Sequence, residues 1–319
     1  MMDSTAARLT HLLRTRLKMK QLVVLCAIAE EGSLHRAAAA HGMSQPALSK
    51  MLKEIEDVVE TPLFERERSG TRLTRFGERM IFRARVLLSD LDQTAVELGA
   101  IKDGYEGSLR IGMIPLLSPG LLVSAMSLLE EDGKKYTFQI TIGSADALID
   151  ALRARNLDCA LARLPAADSV EDLDCRKLYA QNPFLVAHQK GILGQHRGPI
   201  KVSEFGGCSW ILPPHPTPIR KAVDRIFLQA DLKPPVPAIE CFDPTIIRNL
   251  LSVRQDLVAI MPQEIAEDVF SKDNLIFFPM ETPFVFPDVC LINLRRRQKD
   301  PALGHFISAL VRAMEVRRK

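Results

Sequence analysis

The period of the apolar positions changes along this chain, and each change marks a different kind of structure. Leu22, Leu25, Ile28 and Ala29 recur at helical spacing, and Glu31-Gly32 closes that helix before Ser33 offers an N-cap oxygen to the next. The second helix, Leu34 to Ala40, is short and alanine-rich, which suits two helices in close approach because Ala adds no bulk and loses no side-chain entropy. His41-Gly42-Met43 makes a tight reversal, with Gly42 able to take a positive φ. A third helix opens on Ser44 as N-cap with Pro46 in its first turn. Leu48, Leu52, Ile55 and Val59 give it an apolar face and leave Gln45, Ala47, Ser49, Lys50 and Lys53 outside. Leu63-Phe64 returns to the core as a strand, and Glu65 to Arg72 reads as a charged hairpin bending at Ser69-Gly70. A short helix, a tight turn, a second helix with a small polar face and an adjoining wing describe a winged helix-turn-helix.

After Thr74, which can cap it, a long helix is predicted from about Arg75 to Lys102. Met80, Ala84, Leu87, Leu91, Thr94, Leu98 and Ile101 alternate spacings of four and three, the seam of a coiled coil. At 1.5 Å per residue such a helix is roughly 40 Å long, too long for one small domain to cover. Asp103 to Gly107 ends it as a hinge. Upstream, Leu9, Leu12, Leu13 and Leu17 fit either one further short helix or a loose tail.

From Ser108 onward strands and helices alternate, which implies parallel sheets with helices on their faces. Strands are predicted over 108–114, 136–142, 157–164, 183–188, 209–212, 238–242, 257–261, 275–278 and 289–294. Helices are predicted over 119–131, 145–155, 219–230, 245–253 and 301–317.

The chain's 319 residues suggest two or three folding units, and 47% hydrophobic with 25% charged residues makes it globular. Net charge is only +3, so affinity for nucleic acid has to come from local clusters such as Arg66, Arg68, Arg72 and Arg75. The six cysteines are scattered, with no CxxC pair and no His at zinc-ligand spacing, and read as small buried hydrophobes; no metal is expected. No signal peptide and no apolar run long enough for a bilayer are legible, so a cytoplasmic protein without a membrane partner is expected. A nucleophile elbow, a Walker loop and a Rossmann glycine fingerprint are all missing, and neither an enzyme nor a cofactor is predicted.

The segments GSLHRAAAAHGMSQPALSKMLKEIE and TPLFERERSGTRLTRFGE resemble the N-terminal domain of the LysR-type transcriptional regulators, in order and without gaps. SLRIGMIPLLSPGLL and GSADALIDALRARNLDCALARLP resemble the effector domain of the same family, and look closest to the branch of sugar-binding-protein and protocatechuate-pathway regulators. The resemblance implies a winged helix-turn-helix over 18–74 and a dimerising linker helix over 75–103. It further implies a two-lobed α/β effector domain of periplasmic-binding-protein type over 106–319, with lobe I at 106–166 and 273–319 and lobe II at 167–272. It implies double-stranded DNA, a small-molecule effector and further copies of the chain, as a dimer of dimers, for partners, with RNA polymerase as an additional one. A periplasmic binding protein, which lacks a leader here, and a nucleoid architectural protein, which has no use for effector lobes, are the competing readings.

The side-chain chemistry gives each position a role. Gln45 can present a bidentate amide to adenine, and Pro46 and Ala47 offer apolar surface to a thymine methyl. Ser49, Lys50 and Lys53 can reach phosphates or base edges, with Ser44, Ser33 and Arg36 adding phosphate contacts or serving as caps. Arg66 can enter a narrow minor groove or pair with Glu65 or Glu67, and Arg68 and Arg72 extend the basic wing. In the α/β half, Ser118 and Ser144 precede helices that follow strands, where free N–H groups favour an anion, and Thr217 and Thr245 occupy comparable places. Arg163, directly after a strand, can meet an effector carboxylate in the cleft or make a salt bridge within lobe I. An organic acid is the effector these residues predict.

Overall fold

The computed structural model describes residues 2–67, 70–131, 133–163, 171–204, 208–270, 274–281, 286–295 and 300–317. The chain divides into two compact units, residues 1–99 with 153–156 and residues 100–152 with 157–319.

In the first unit, α1 (Met2–Arg16), α2 (Met19–Glu31), α3 (Leu34–Ala40) and α4 (Gln45–Val59) precede a two-stranded wing, β1 (Phe64–Glu67) and β2 (Gly70–Leu73), and a long helix, α5 (Arg75–Lys102). Residues 2–16 are therefore helical and not a loose tail. Leu25, Ile28, Leu48 and Ile55 are fully buried where α2, α3 and α4 meet, each worth about 1.5–3 kcal/mol. Val58 is also buried on α4, and Val59 packs half-buried against the core cluster of Leu48, Leu52 and Ile55, as the apolar face predicts. Gly42 has φ +62°, as the reversal requires. The wing docks by close backbone approach: Thr71 N–H donates to Gly32 O at 3.0 Å, and a Cβ on Gly70 would lie 2.3 Å from that oxygen.

Only part of the predicted seam on α5 is free. Ala84 is buried and Met80 packs against Leu22 and Cys26, so both belong to their own domain, whereas Leu87, Leu91, Leu98 and Ile101 remain exposed.

The second unit holds two five-stranded sheets. One, ordered β4-β3-β5-β12-β6, combines β3 (Gly107–Met113), β4 (Tyr136–Ile142), β5 (Cys159–Arg163), β6 (Leu173–Gln181) and β12 (Phe286–Leu294). Helices α6 (Pro119–Glu130), α7 (Ala145–Arg153) and α11 (Pro301–Arg317) complete lobe I. Arg110 ties β3 to Asp158 with Nη2–Oδ1 at 2.9 Å in a buried pair.

The other sheet, ordered β11-β7-β10-β8-β9, combines β7 (Pro183–His188), β8 (Ser209–Leu212), β9 (Ile239–Glu240), β10 (Leu257–Pro262) and β11 (Leu275–Pro279). With it lie α8 (Pro218–Gln229), α9 (Pro244–Val253) and α10 (Gln263–Phe270). The chain thus crosses between lobes later than expected on both passages. Leu173–Gln181 pairs into the lobe I sheet through β12, and Leu275–Pro279 pairs into the lobe II sheet through β7. The expected boundaries at 167 and 273 are corrected accordingly, because sheet pairing and not sequence distance decides lobe membership.

Candidate nucleic-acid interface and interlobe site

Helix α4 owes its position to α2 and α3 beneath it, which leaves Gln45, Pro46, Ala47, Lys50 and Lys53 exposed and Ser49 half-buried on one outward face. Ser44 caps the helix, its Oγ accepting from Ala47 N–H at 3.3 Å, and Ser33 likewise accepts from Arg36 N–H at 3.5 Å at the start of α3. Glu56 pins the wing to this helix by accepting from Leu63 N–H at 2.7 Å and Phe64 N–H at 3.3 Å. Ser49, Lys50, Lys53 and Thr71 line the open groove, about 490 Å³, between α4 and β2. This face is small, polar and cationic, and a helix of that character beside a wing suits a duplex groove.

Two of the candidate arginines have partners inside the protein. Arg36 donates to Glu31 O and pairs with the Glu31 carboxylate at 3.4 Å. Arg72 pairs with Glu67 at 3.7 Å, both largely exposed, so the bond is weak and exchangeable. Arg66 lies on β1 opposite Thr71. Arg68 and Ser69 lie outside the described residues.

In the second unit, β3 and β5 run parallel and end at one edge, so Ser118 and Arg163 come to the same side of lobe I. Ser118 precedes α6 but its hydroxyl makes no capping bond; it donates to Asp268 of α10 in lobe II. Arg163, almost fully buried, donates through Nη2 to Gln181 Oε1, while its Nε is buried without a partner among the described residues. Gln181 Nε2 reaches Glu264 Oε2 at 3.4 Å. Desolvation lowers the Arg163 pKa to about 10, countered in part by Tyr179 and Glu264. Burial raises the Glu264 carboxyl above its ordinary value, opposed by hydrogen bonds from the backbone and Gln181. Lobe I donors therefore meet two lobe II carboxylates one helical turn apart.

The remaining candidates do not join this cluster. Ser144 is an exposed N-cap of α7, accepting from Ala147 N–H at 3.3 Å. Thr217 caps α8 and donates to Pro214 O at 2.8 Å. Thr245 is not in a comparable place, because Asp243 caps α9 and Thr245 sits exposed inside its first turn. Of the two readings of Arg163, the salt bridge within lobe I gives way to an amide partner, Gln181. Gln181, Glu264 and Asp268 were not among the sequence candidates; only the four-residue spacing of the two acids after a buried strand signals them.

The described cysteines are all free thiols, and burial pushes Cys159 upward and Cys290 up to about 11, away from the thiolate form. No group of metal-binding residues occurs among the described residues, and no described helix is long and apolar enough to cross a membrane.

A winged helix-turn-helix joined by a long helix to a two-lobed α/β unit defines a DNA-binding regulator with a ligand domain. Residues 19–78 match the bacterial regulatory helix-turn-helix protein of the lysR family, residues 102–315 match the LysR substrate binding domain, and the chain belongs to the LysR family of transcriptional regulators. It is similar to the HTH-type transcriptional regulator GbpR of Azospirillum brasilense, 27% identical over 96% of this chain and 89% of that one. It is also similar to the regulator PcaQ of Agrobacterium fabrum, 30% identical over 52% of this chain and 53% of that one. These are the sugar-binding-protein and protocatechuate-pathway branches that the effector-domain segments resemble. Among solved structures, full-length CbnR complexed with its target DNA has the same fold, with a TM-score of 0.65, 20% identity and coverage of 93% of this chain and 100% of that one. The chain is a LysR-type DNA-binding transcriptional regulator with an effector-binding domain, and not an enzyme.

Proposed function

We propose that this regulator binds an interrupted palindrome in the cytoplasm as a dimer of dimers, and that a small organic carboxylate bound between the lobes sets its output. Gln45 reads base edges from α4, Ser44, Ser49, Lys50 and Lys53 hold phosphates, and Arg66 with Arg72 carries the wing contact. The exposed apolar stripe of α5 pairs two copies.

The observation that carries the effector reading is the Ser118–Asp268 hydrogen bond, made where Ser118 would otherwise cap α6. A donor already satisfied by an intramolecular carboxylate suits a carboxylate ligand, and the buried Arg163 cation lies at the same edge. An effector that displaces Asp268 and Glu264 from the lobe I donors favours one lobe arrangement over the other. A coupling of about 1–3 kcal/mol to the DNA contacts is the expected scale.

The test is calorimetry of the full chain with protocatechuate, benzoate, succinate and citrate, and with D-galactose as the uncharged comparison, followed by footprinting with each binder. Carboxylate binding that is lost in Ser118→Ala and changes the footprint supports the reading. Binding of D-galactose alone, or carboxylate binding that survives Ser118→Ala, overturns it.

A further inference from the structure

The strand order β11-β7-β10-β8-β9 puts β11 at an edge of the lobe II sheet, and the pairing decides which of its backbone groups face outward. Gln189 N–H donates to Asn274 O at 2.9 Å and Met280 N–H donates to Pro183 O at 3.3 Å, so the even-numbered residues turn their N–H and C=O toward β7. Leu275, Phe277 and Pro279 therefore turn theirs to the free edge. Pro279 O is taken there by Ile200 N–H at 3.0 Å, and Ile200 O accepts from Glu281 N–H at 2.9 Å. The protein thus adds one rung to its own edge and stops. Among the described residues nothing bonds to the outward N–H and C=O of Leu275 and Phe277.

That edge borders an open groove of about 730 Å³ whose other wall is the loop after β7, with Lys190, His196 and Arg197. The His196 ring stands edge-on to Phe278 at 5.2 Å, which holds the wall against the strand. Arg197 donates to the carbonyls of Gly194 at 3.1 Å and His196 at 2.7 Å, and neither Arg197 nor Lys190 meets a carboxylate among the described residues. The neighbouring acids are already engaged, Glu204 with His196 at 3.6 Å and Glu281 with Lys201 at 3.7 Å. Charges that protect an edge from pairing stand on the edge strand itself. Here β11 reads Leu-Ile-Phe-Phe-Pro without a charge, and the cations come from the facing wall.

We propose that β11 takes up an extended acidic segment of a partner protein as an added strand, with main-chain bonds to Leu275 and Phe277 and carboxylates toward Lys190 and Arg197. An added strand gains affinity from its main chain and specificity from its alternate side chains, and both halves of that recognition are present here. A second copy of the same edge brings Lys190 and Arg197 against themselves and is repelled. The site shares no residue with the DNA face or the interlobe cluster.

The probe is a fluorescein-labelled acetyl-Glu-Val-Glu-Val-Glu-amide peptide, titrated into the full chain by anisotropy and followed by hydrogen exchange. Saturable binding that slows exchange of the Leu275 and Phe277 amides is expected. Affinity is expected to fall about tenfold or more in the double variant Lys190→Glu, Arg197→Glu, and likewise in Phe277→Pro, whose ring removes an outward N–H and no ladder bond. The same loss is expected for a peptide N-methylated at alternate amides, a measurement on wild type that stands whether or not the variants fold. Absence of binding, equal binding of the N-methylated peptide or of the Lys-Val-Lys-Val-Lys counterpart, or binding that leaves the Leu275 and Phe277 amides unprotected overturns the proposal.

Discussion

Replacing Gln181 by leucine is expected to destabilise the effector unit by about 2–3 kcal/mol, although it exchanges a polar side chain for an apolar one at a fully buried position. Gln181 links the Arg163 guanidinium to Glu264 across the lobes, and Arg163 is only 3% exposed. A hydrogen bond to a charged group contributes about 1.5–3 kcal/mol, and a buried charge stripped of its partner costs about 3–5 kcal/mol. The leucine side chain recovers part of that loss through apolar burial, about 1.5–3 kcal/mol at most. Adding Arg163→Met removes the stranded cation, so the double variant is expected to regain most of the stability, with a coupling of about 1.5–2 kcal/mol in the cycle. Urea unfolding provides the measurement. The single tryptophan, Trp210, is buried edge-on against Phe227 at 5.3 Å in lobe II, so its fluorescence reports that lobe, while far-UV circular dichroism reports all helices. Coincident shifts by both probes mean that the polar link makes the lobes unfold together. A Gln181→Leu protein within about 0.5 kcal/mol of wild type, or additive effects of the two substitutions, refutes the reasoning.

Glu264 has a raised folded-state pKa, so its contribution is fully present below the ordinary value of 4.5 and is lost as pH rises through the folded value. The stability of wild type relative to Glu264→Gln should therefore decline from pH 4 to pH 7 in urea titrations, and a constant or rising difference contradicts the assignment. Gly70→Ala places a Cβ 2.3 Å from Gly32 O, whereas Gly42→Ala meets open space. The first is expected to cost more than about 2 kcal/mol and to speed exchange of the Thr71 amide, the second about 1–2 kcal/mol from its left-handed φ alone. Gln45→Ala should cost about 1–3 kcal/mol at one base position, while Lys50→Ala should weaken all sequences evenly and flatten the salt dependence, as measured by binding titrations on base-substituted duplexes. Leu91→Glu is expected to leave the melting temperature nearly unchanged while abolishing dimers in sedimentation. Ala84→Glu, at a 1% exposed site, should lower the melting temperature instead.

Elements with an unbroken period were legible to the residue: Tyr136–Ile142, Pro183–His188, Ser209–Leu212 and Pro301–Arg317 have the bounds their patterns predict. The strand Leu173–Gln181 was not, because it pairs at the edge of its sheet and alternates buried Leu173, Leu178 and Gln181 irregularly with Asp174, Arg176 and Lys177. Such charges protect an edge from unwanted pairing and erase the apolar alternation that announces a strand. Helix α10 was missed for a different reason. It has only eight residues, about two turns, too few for a helical period to stand out after the apolar run of β10. The interlobe cluster draws Gln181 from the first of these elements and Glu264 and Asp268 from the second. Its lobe II half was therefore invisible even though Ser118 and Arg163 were identified.

Helix α5 shows most plainly where a periodic pattern stops being informative. Met80, Ala84, Leu87, Leu91 and Leu98 form one stripe in sequence, and nothing in their spacing distinguishes a residue packed on its own domain from one awaiting a partner. The fold draws that line at Leu87, because α2 reaches α5 only as far as the cluster of Leu22, Cys26, Ala84 and Leu88. Beyond it Leu91 and Leu98 stay about half exposed, at 48% and 57%, which is the exposure a surface covered by a second copy would show in the single chain. On the pairing proposed above, a helix whose first half packs on the DNA-reading domain and whose second half meets a partner would set the spacing of two recognition helices, and a change in that pairing would move the DNA contacts at the other end of a helix about 40 Å long.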